Sequence, residues 1–85
     1  MATPLLQARA LVGRPVTVLL VDGSAVTGRL AGVDGHLNVL LHGDVVERAA
    51  AAPGSAVLGT AKARAVRGDV ILAIGADAAA AAPAA

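Results

Sequence analysis

Apolar residues at every second position from 16 to 20, followed at once by Asp22-Gly23, constrain the fold of this chain more tightly than any other feature. Val16, Val18 and Leu20 alternate with Thr17, Leu19 and Val21, the period of a strand with one buried face, and Asp-Gly is a strong signal for a tight hairpin turn. On the return strand Val26, Gly28 and Leu30 share a face. A glycine in mid-strand marks a sharp bend or a close backbone approach. Strong curvature of this kind is what a small barrel requires.

The rest of the chain reads consistently with that start. Residues 3–13 predict a short helix: Thr3 can cap the free amides, Pro4 suits the first helical position and Gly13 suits the residue past the end. In the third strand Leu37, Val39 and Leu41 alternate with His36, Asn38 and Leu40, so His36 and Asn38 are predicted to point the same way. The alanine-rich stretch 49–55, broken by Pro53-Gly54, reads as a hairpin tip. Residues 56–65 form a fourth strand with Ala61, Ala63 and Ala65 on one side and Lys62 and Arg64 on the other; residues 70–74 form a fifth, joined to it by the Arg67-Gly68 turn. The expected class is therefore mainly all-β, a short N-terminal helix on five strongly bent antiparallel strands. Residues 1–76 are expected to form the domain, and the alanine-rich residues 77–85 a frayed tail. Thr17, Leu19 and Val21 make the outward face of the first strand apolar, which predicts that the helix or a neighbouring subunit covers it.

Composition narrows the function classes. An 85-residue chain is one small domain that buries a modest share of its surface, so oligomerisation is expected to help hold it. It has no cysteine, which removes disulfides, thiolate metal sites and thiol nucleophiles and makes a cytoplasmic location the expectation. Although 56% of residues are hydrophobic, no run approaches the ~20 needed to span a bilayer, and a soluble protein without membrane association is expected. The first residues lack the basic-then-apolar pattern of an export signal. With no Phe, Tyr or Trp, any base stacking would fall to histidine or to the flat guanidinium of arginine. Seven Lys/Arg against six Asp/Glu leave a net charge of +1, far from the basic excess of a protein that grips nucleic acid mainly by its phosphates.

Two polar stretches stand at the edges of apolar runs, Asp34-Gly35-His36-Leu37-Asn38 and Val66-Arg67-Gly68-Asp69. Loops carried on a rigid scaffold are where binding chemistry concentrates, and together these two make a nucleobase pocket. Taken alone, Asp34, His36 and Asn38 are ordinary turn residues; the second stretch, in order behind them, favours the functional reading. His42 and Asp44, with Asp34 and His36, offer a grouping of metal-ligand types, but no metal or other cofactor is expected. Ser24 and Ser55 have no general base beside them and no carboxylate pair suggests a cleft, so no enzymatic activity is expected. Arg14, Arg29, Arg48, Lys62 and Arg64 read as solvated surface that a ring would repeat as a basic belt.

Taken in order, Thr3-Pro4-Leu5, Val16-Thr17-Val18, Asp22-Gly23, Gly28, Leu30, Asp34-x-His36-Leu37-Asn38 and Glu47, then Val66-Arg67-Gly68-Asp69 with Ile71 and Ile74, resemble the two motifs of the Sm-like family in its archaeal-type branch. The Tyr-Lys-His signature of bacterial host factor Q is absent. The resemblance implies an SH3-like small barrel, the Sm fold, in which strand four of one subunit pairs with strand five of the next to close a homo-oligomeric ring of six or seven. It implies that single-stranded uridine-rich RNA binds near the pore, for RNA processing or chaperoning, with a uracil stacked between His36 and Arg67 and its edge read by Asn38. Asp34 and Asp69 would brace the loops, and Gly68 would let the backbone come close to the base. An amide offers a donor beside an acceptor, matching N3–H and O4 of uracil; cytosine presents the reverse, and a flip of the amide would accommodate it, so modest discrimination is expected. The alternative is a structural ring or scaffold with little RNA affinity.

Overall fold

The structure, a computed structural model, describes residues 4–52 and 54–76. A short helix α1 (Pro4–Ala10) precedes five strands, β1 (Pro15–Leu20), β2 (Ala25–Val33), β3 (Val39–Arg48), β4 (Val57–Val66) and β5 (Ile71–Ala76). All neighbouring strands pair antiparallel, in the order β4-β3-β2-β1-β5. The cap at Thr3 and the tail at 77–85 lie outside the described residues.

The predicted hairpin forms as read. Gly23, at φ +91°, takes the left-handed turn position, and Asp22 ties the turn by accepting from the Ser24 hydroxyl at 2.6 Å and the Ser24 N–H at 2.9 Å. Ser24 is buried, so its hydroxyl needs that partner. In β1 the alternation is visible in burial, with Val16, Val18 and Leu20 inside and Thr17 and Leu19 half-covered. Val21 is exposed.

The sheet bends where three strands lose register together. Pairing of β2 with β3 passes from Thr27↔Val46 to Arg29↔His42, and pairing of β3 with β4 passes from His42↔Ala63 to Val45↔Ala61. The extra residues are Gly43 and Asp44, both left-handed at φ +64° and +48°, a bulge that turns β3 sharply. Gly28 sits opposite it: a Cβ there would stand 3.1 Å from a Val45 methyl and 3.4 Å from Leu41 Cβ. The mid-strand glycine is thus required by close packing inside the bend.

Val16, Val18, Leu20, Val26, Leu30, Val39, Leu41, Val45 and Val66 form the core, with Leu11, Val33, Ile71 and Ile74 packed around it. Without an aromatic, the fold depends on these aliphatics, each worth about 1.5–3 kcal/mol when fully buried. The helix lies against β2. The chain after it adds to the sheet, Gly13 N–H donating to the Leu30 carbonyl at 2.8 Å and Leu30 N–H to that of Arg14 at 3.0 Å.

Strands β4 and β5 are the two edges of the sheet. Residues 57–63 of β4 are exposed on both faces, so the expected division into two unlike sides is not seen in the single chain. Val57, Leu58 and Leu72 are 51%, 59% and 68% exposed. Long apolar edges of this kind are templates for further pairing.

Candidate nucleic-acid interface

The register of β3 on β4 brings the two polar stretches together. Val39, first in β3, pairs with Val66, last in β4, so the loop entering β3 and the loop leaving β4 emerge side by side. His36, Asn38, Arg67, Gly68 and Asp69 line one open depression of about 490 Å³ between them.

The first loop is organised by Asp34. Its Oδ1 accepts the backbone N–H groups of His36 at 2.8 Å and Asn38 at 3.0 Å, and its Oδ2 accepts Asn38 Nδ2–H at 2.9 Å. The side-chain bond from Asn38, then the His36 N–H, hold the Asp34 carboxyl below its ordinary pKa of 3.8. Asp34 therefore stays ionised at neutral pH and accepts only. Backbone bonds close the same turn, Leu37 N–H to the Asp34 carbonyl and Asp34 N–H to the Asn38 carbonyl, both 3.1 Å.

His36 and Asn38 do share the depression, but strand alternation is not the reason. β3 starts only at Val39, and Leu37 adopts φ +63°, a left-handed conformation unfavourable for a bulky residue. The three acceptor bonds of Asp34 hold the turn that demands it. Leu37 turns away from the depression and, with Gln7, Val39, Ile71, Leu72, Ala73 and Ile74, lines a separate apolar groove of about 260 Å³ along β5.

The second loop continues as a single 3-10 turn, Gly68–Val70, so β5 starts at Ile71 and not at Val70. Within it Arg67 Nη2 pairs with Asp69 Oδ2 at 2.9 Å; both side chains are exposed, so the pair is weak. Asp69 thus steadies Arg67 inside its own loop. The tie between the loops is Asn38, whose Oδ1 accepts the Gly68 N–H at 2.7 Å.

Gly68 has a second constraint. A Cβ there would stand 2.1 Å from the His36 carbonyl oxygen and 2.9 Å from the Leu37 carbonyl carbon. The small residue is required by the packing of one loop on the other. The backbone conformation of Leu37 and the Gly68 N–H are the features that reading the sequence missed; only Leu37's apolar type between polar neighbours hinted at a side chain facing elsewhere. His42 and Asp44 lie on β3 outside the depression. Among the described residues, no three of the His, Cys, Asp or Glu type gather to hold a metal ion.

Chemically, the depression offers a planar guanidinium, an imidazole and one amide with a donor and an acceptor to spare, because a carboxamide has two N–H and two lone pairs and the loops use one of each. The LSM domain family model matches residues 6–76. Among solved structures, a Pyrococcus abyssii Sm protein in complex with a uridine heptamer is 32% identical, with TM-score 0.75 over 89% of this chain and 100% of its own. The Pyrobaculum aerophilum SmAP1 heptamer is 30% identical, with TM-score 0.73 over 91% of this chain and 96% of its own. A heptameric archaeal Sm protein is also 30% identical, with TM-score 0.68 over 82% and 94%. No curated protein sequence matches significantly.

Proposed function

Since this chain belongs to the LSM-domain, Sm-like family, we propose that it assembles into a homo-oligomeric ring that binds single-stranded uridine-rich RNA through one pocket per subunit. In this reading a uracil stacks between His36 and Arg67, and the spare donor and acceptor of Asn38 meet its O4 and N3–H. Asp34, Gly68 and Asp69 hold those groups in place. The chain acts as a binding module without a chemical step.

One observation carries the proposal: two stretches separated by about thirty residues are brought into one depression and joined there by the Gly68–Asn38 bond. The likeness to a protein solved with a uridine heptamer supports the ligand, and the likeness to heptamers supports the ring. The open edges of β4 and β5, with their exposed Leu58 and Leu72, supply the surfaces that one subunit would pair with the next.

Native mass spectrometry with and without a short uridine oligomer tests both parts. A ring mass that shifts by whole oligomers is the expected result. A monomer at micromolar concentration removes the ring, and a ring that binds no oligomer leaves a structural scaffold.

A further inference from the structure

Leu37 stands between His36 and Asn38 in the chain, yet its side chain lines the apolar groove along β5 while theirs line the polar depression. We infer that Leu37 links the two surfaces, so that seating a second copy of this chain over the groove and holding a uridine in the pocket strengthen each other. This rests on the ring and the uridine pocket proposed above.

Leu37 is fastened on three sides. Its N–H donates to the Asp34 carbonyl at 3.1 Å. Its own carbonyl carbon and oxygen press on Gly68, 2.9 and 3.0 Å from where a Cβ would stand there. Its side chain enters the groove beside Gln7 of α1 and Ile71, Leu72 and Ile74 of β5, and among the described residues no other member of the two loops lines that groove. The arrangement requires φ +63°, a conformation that a bulky residue keeps only while its surroundings hold it there.

In the single chain the side-chain anchor is incomplete. Leu37 is half-buried, and Leu72 beside it is 68% exposed. The groove follows β5, one open edge of the sheet, and the other edge, β4, carries the exposed Val57 and Leu58. A second copy that pairs its β4 with this β5 lays apolar side chains over the groove and buries Leu37. Leaving the left-handed turn would then return apolar surface to water, so the assembled subunit favours the turn that sets His36 and Asn38. Conversely, a base held between His36 and Arg67 fixes that turn and keeps Leu37 in its seat. A coupling free energy between two binding sites acts equally in both directions.

The probe is uridine monophosphate, which fills one pocket and cannot bridge two subunits as an oligomer does. Rings of the wild type and of Leu37→Ala, which empties the seat and removes no group that meets the base, are diluted through their dissociation range and weighed by native mass spectrometry. Uridine monophosphate is compared with inorganic phosphate at equal concentration, and its binding is titrated separately. With the nucleotide the wild-type ring should persist to about fivefold lower protein concentration, at the low end of couplings between sites. Leu37→Ala should bind the nucleotide and lose that shift. Nucleotide bound by the wild type without a shift overturns the inference and leaves the pocket standing, and a full shift in Leu37→Ala overturns it by placing the coupling elsewhere. A wild type that binds no uridine, or that never assembles, removes the pocket or the ring and the inference with it. Should Leu37→Ala not assemble, the wild type decides: its affinity for the nucleotide must be tighter above the dissociation range than below it by the same factor, and equal affinities overturn the linkage.

Discussion

Asn38 and Gly68 are thirty positions apart in sequence, yet the Asn38 side-chain oxygen accepts the Gly68 N–H at 2.7 Å. That bond makes two loops into one site, and it couples recognition to loop integrity. A substitution at either end should disturb both.

Gly68→Ala is expected to be severe for so small a change. Its Cβ would fall 2.1 Å from a backbone oxygen, so the loops must part and the Asn38 bond is lost. Destabilisation of about 2 kcal/mol, typical of combined overpacking and a lost hydrogen bond, should appear in denaturant unfolding, with oligo-U binding lost. Gly28→Ala meets a Val45 methyl at 3.1 Å. It should strain the barrel while sparing uridine preference.

His36→Ala should weaken binding by about 1–3 kcal/mol, the worth of one stacking partner, without changing which base is preferred. Arg67→Ala should cost more, because a stacking plane and a positive charge leave together. Neither side chain braces the other loop, so thermal stability should stay near that of the parent. Titration of oligo-U alongside thermal melts separates the two readouts, and a large stability loss in either variant would contradict the placement.

Leu72 is 68% exposed on the β5 edge and Leu58 is 59% exposed on β4. Leu72→Glu should leave the subunit folded, since it buries little in the single chain. In a ring each such leucine would contribute about 1.5–3 kcal/mol when covered, so the variant should run as smaller species in light scattering. A ring of unchanged mass would show that assembly uses another surface.

Salt should weaken RNA binding only gently. The chain carries a net charge of +1, and Arg67 is already paired with Asp69, so few phosphates are neutralised per subunit and few counterions released. Affinity at low and moderate salt measures the slope; a fall of several decades would reveal a basic belt contributed by the ring.

Acid should loosen both turns. Asp22, through the Ser24 hydroxyl and then its N–H, and Asp34, through the Asn38 amide and then the His36 N–H, have pKa values below the ordinary 3.8. The unfolded chain therefore binds more protons in the interval between folded and unfolded values, and stability falls as pH falls. Their contribution is fully present above about 3.8 and disappears as the pH drops through the lower folded values. Asp34→Asn should flatten the acid limb of a stability profile; an unchanged limb would mean that Asp34 contributes nothing to it.

Much of the architecture was legible in the chain because it rests on neighbours. Alternation at 16–20, the Asp22-Gly23 turn and the glycine at 28 depend on local sterics and on which face meets water, and each appears in the structure within a residue or two of its expected place. The two polar motifs were legible as loops for the same reason. Their meeting in one pocket was expected from their order and from the family resemblance and not from local sterics, since it depends on the register Val39↔Val66 between strands far apart in sequence. Likewise, nothing local announces that Leu37 would turn left-handed, that Gly43 and Asp44 would bulge, or that the Asn38 amide would be held from both ends. An amide has no preferred face until its partners are placed, and placing a carboxylate on one side and a backbone N–H on the other is work that only tertiary packing does.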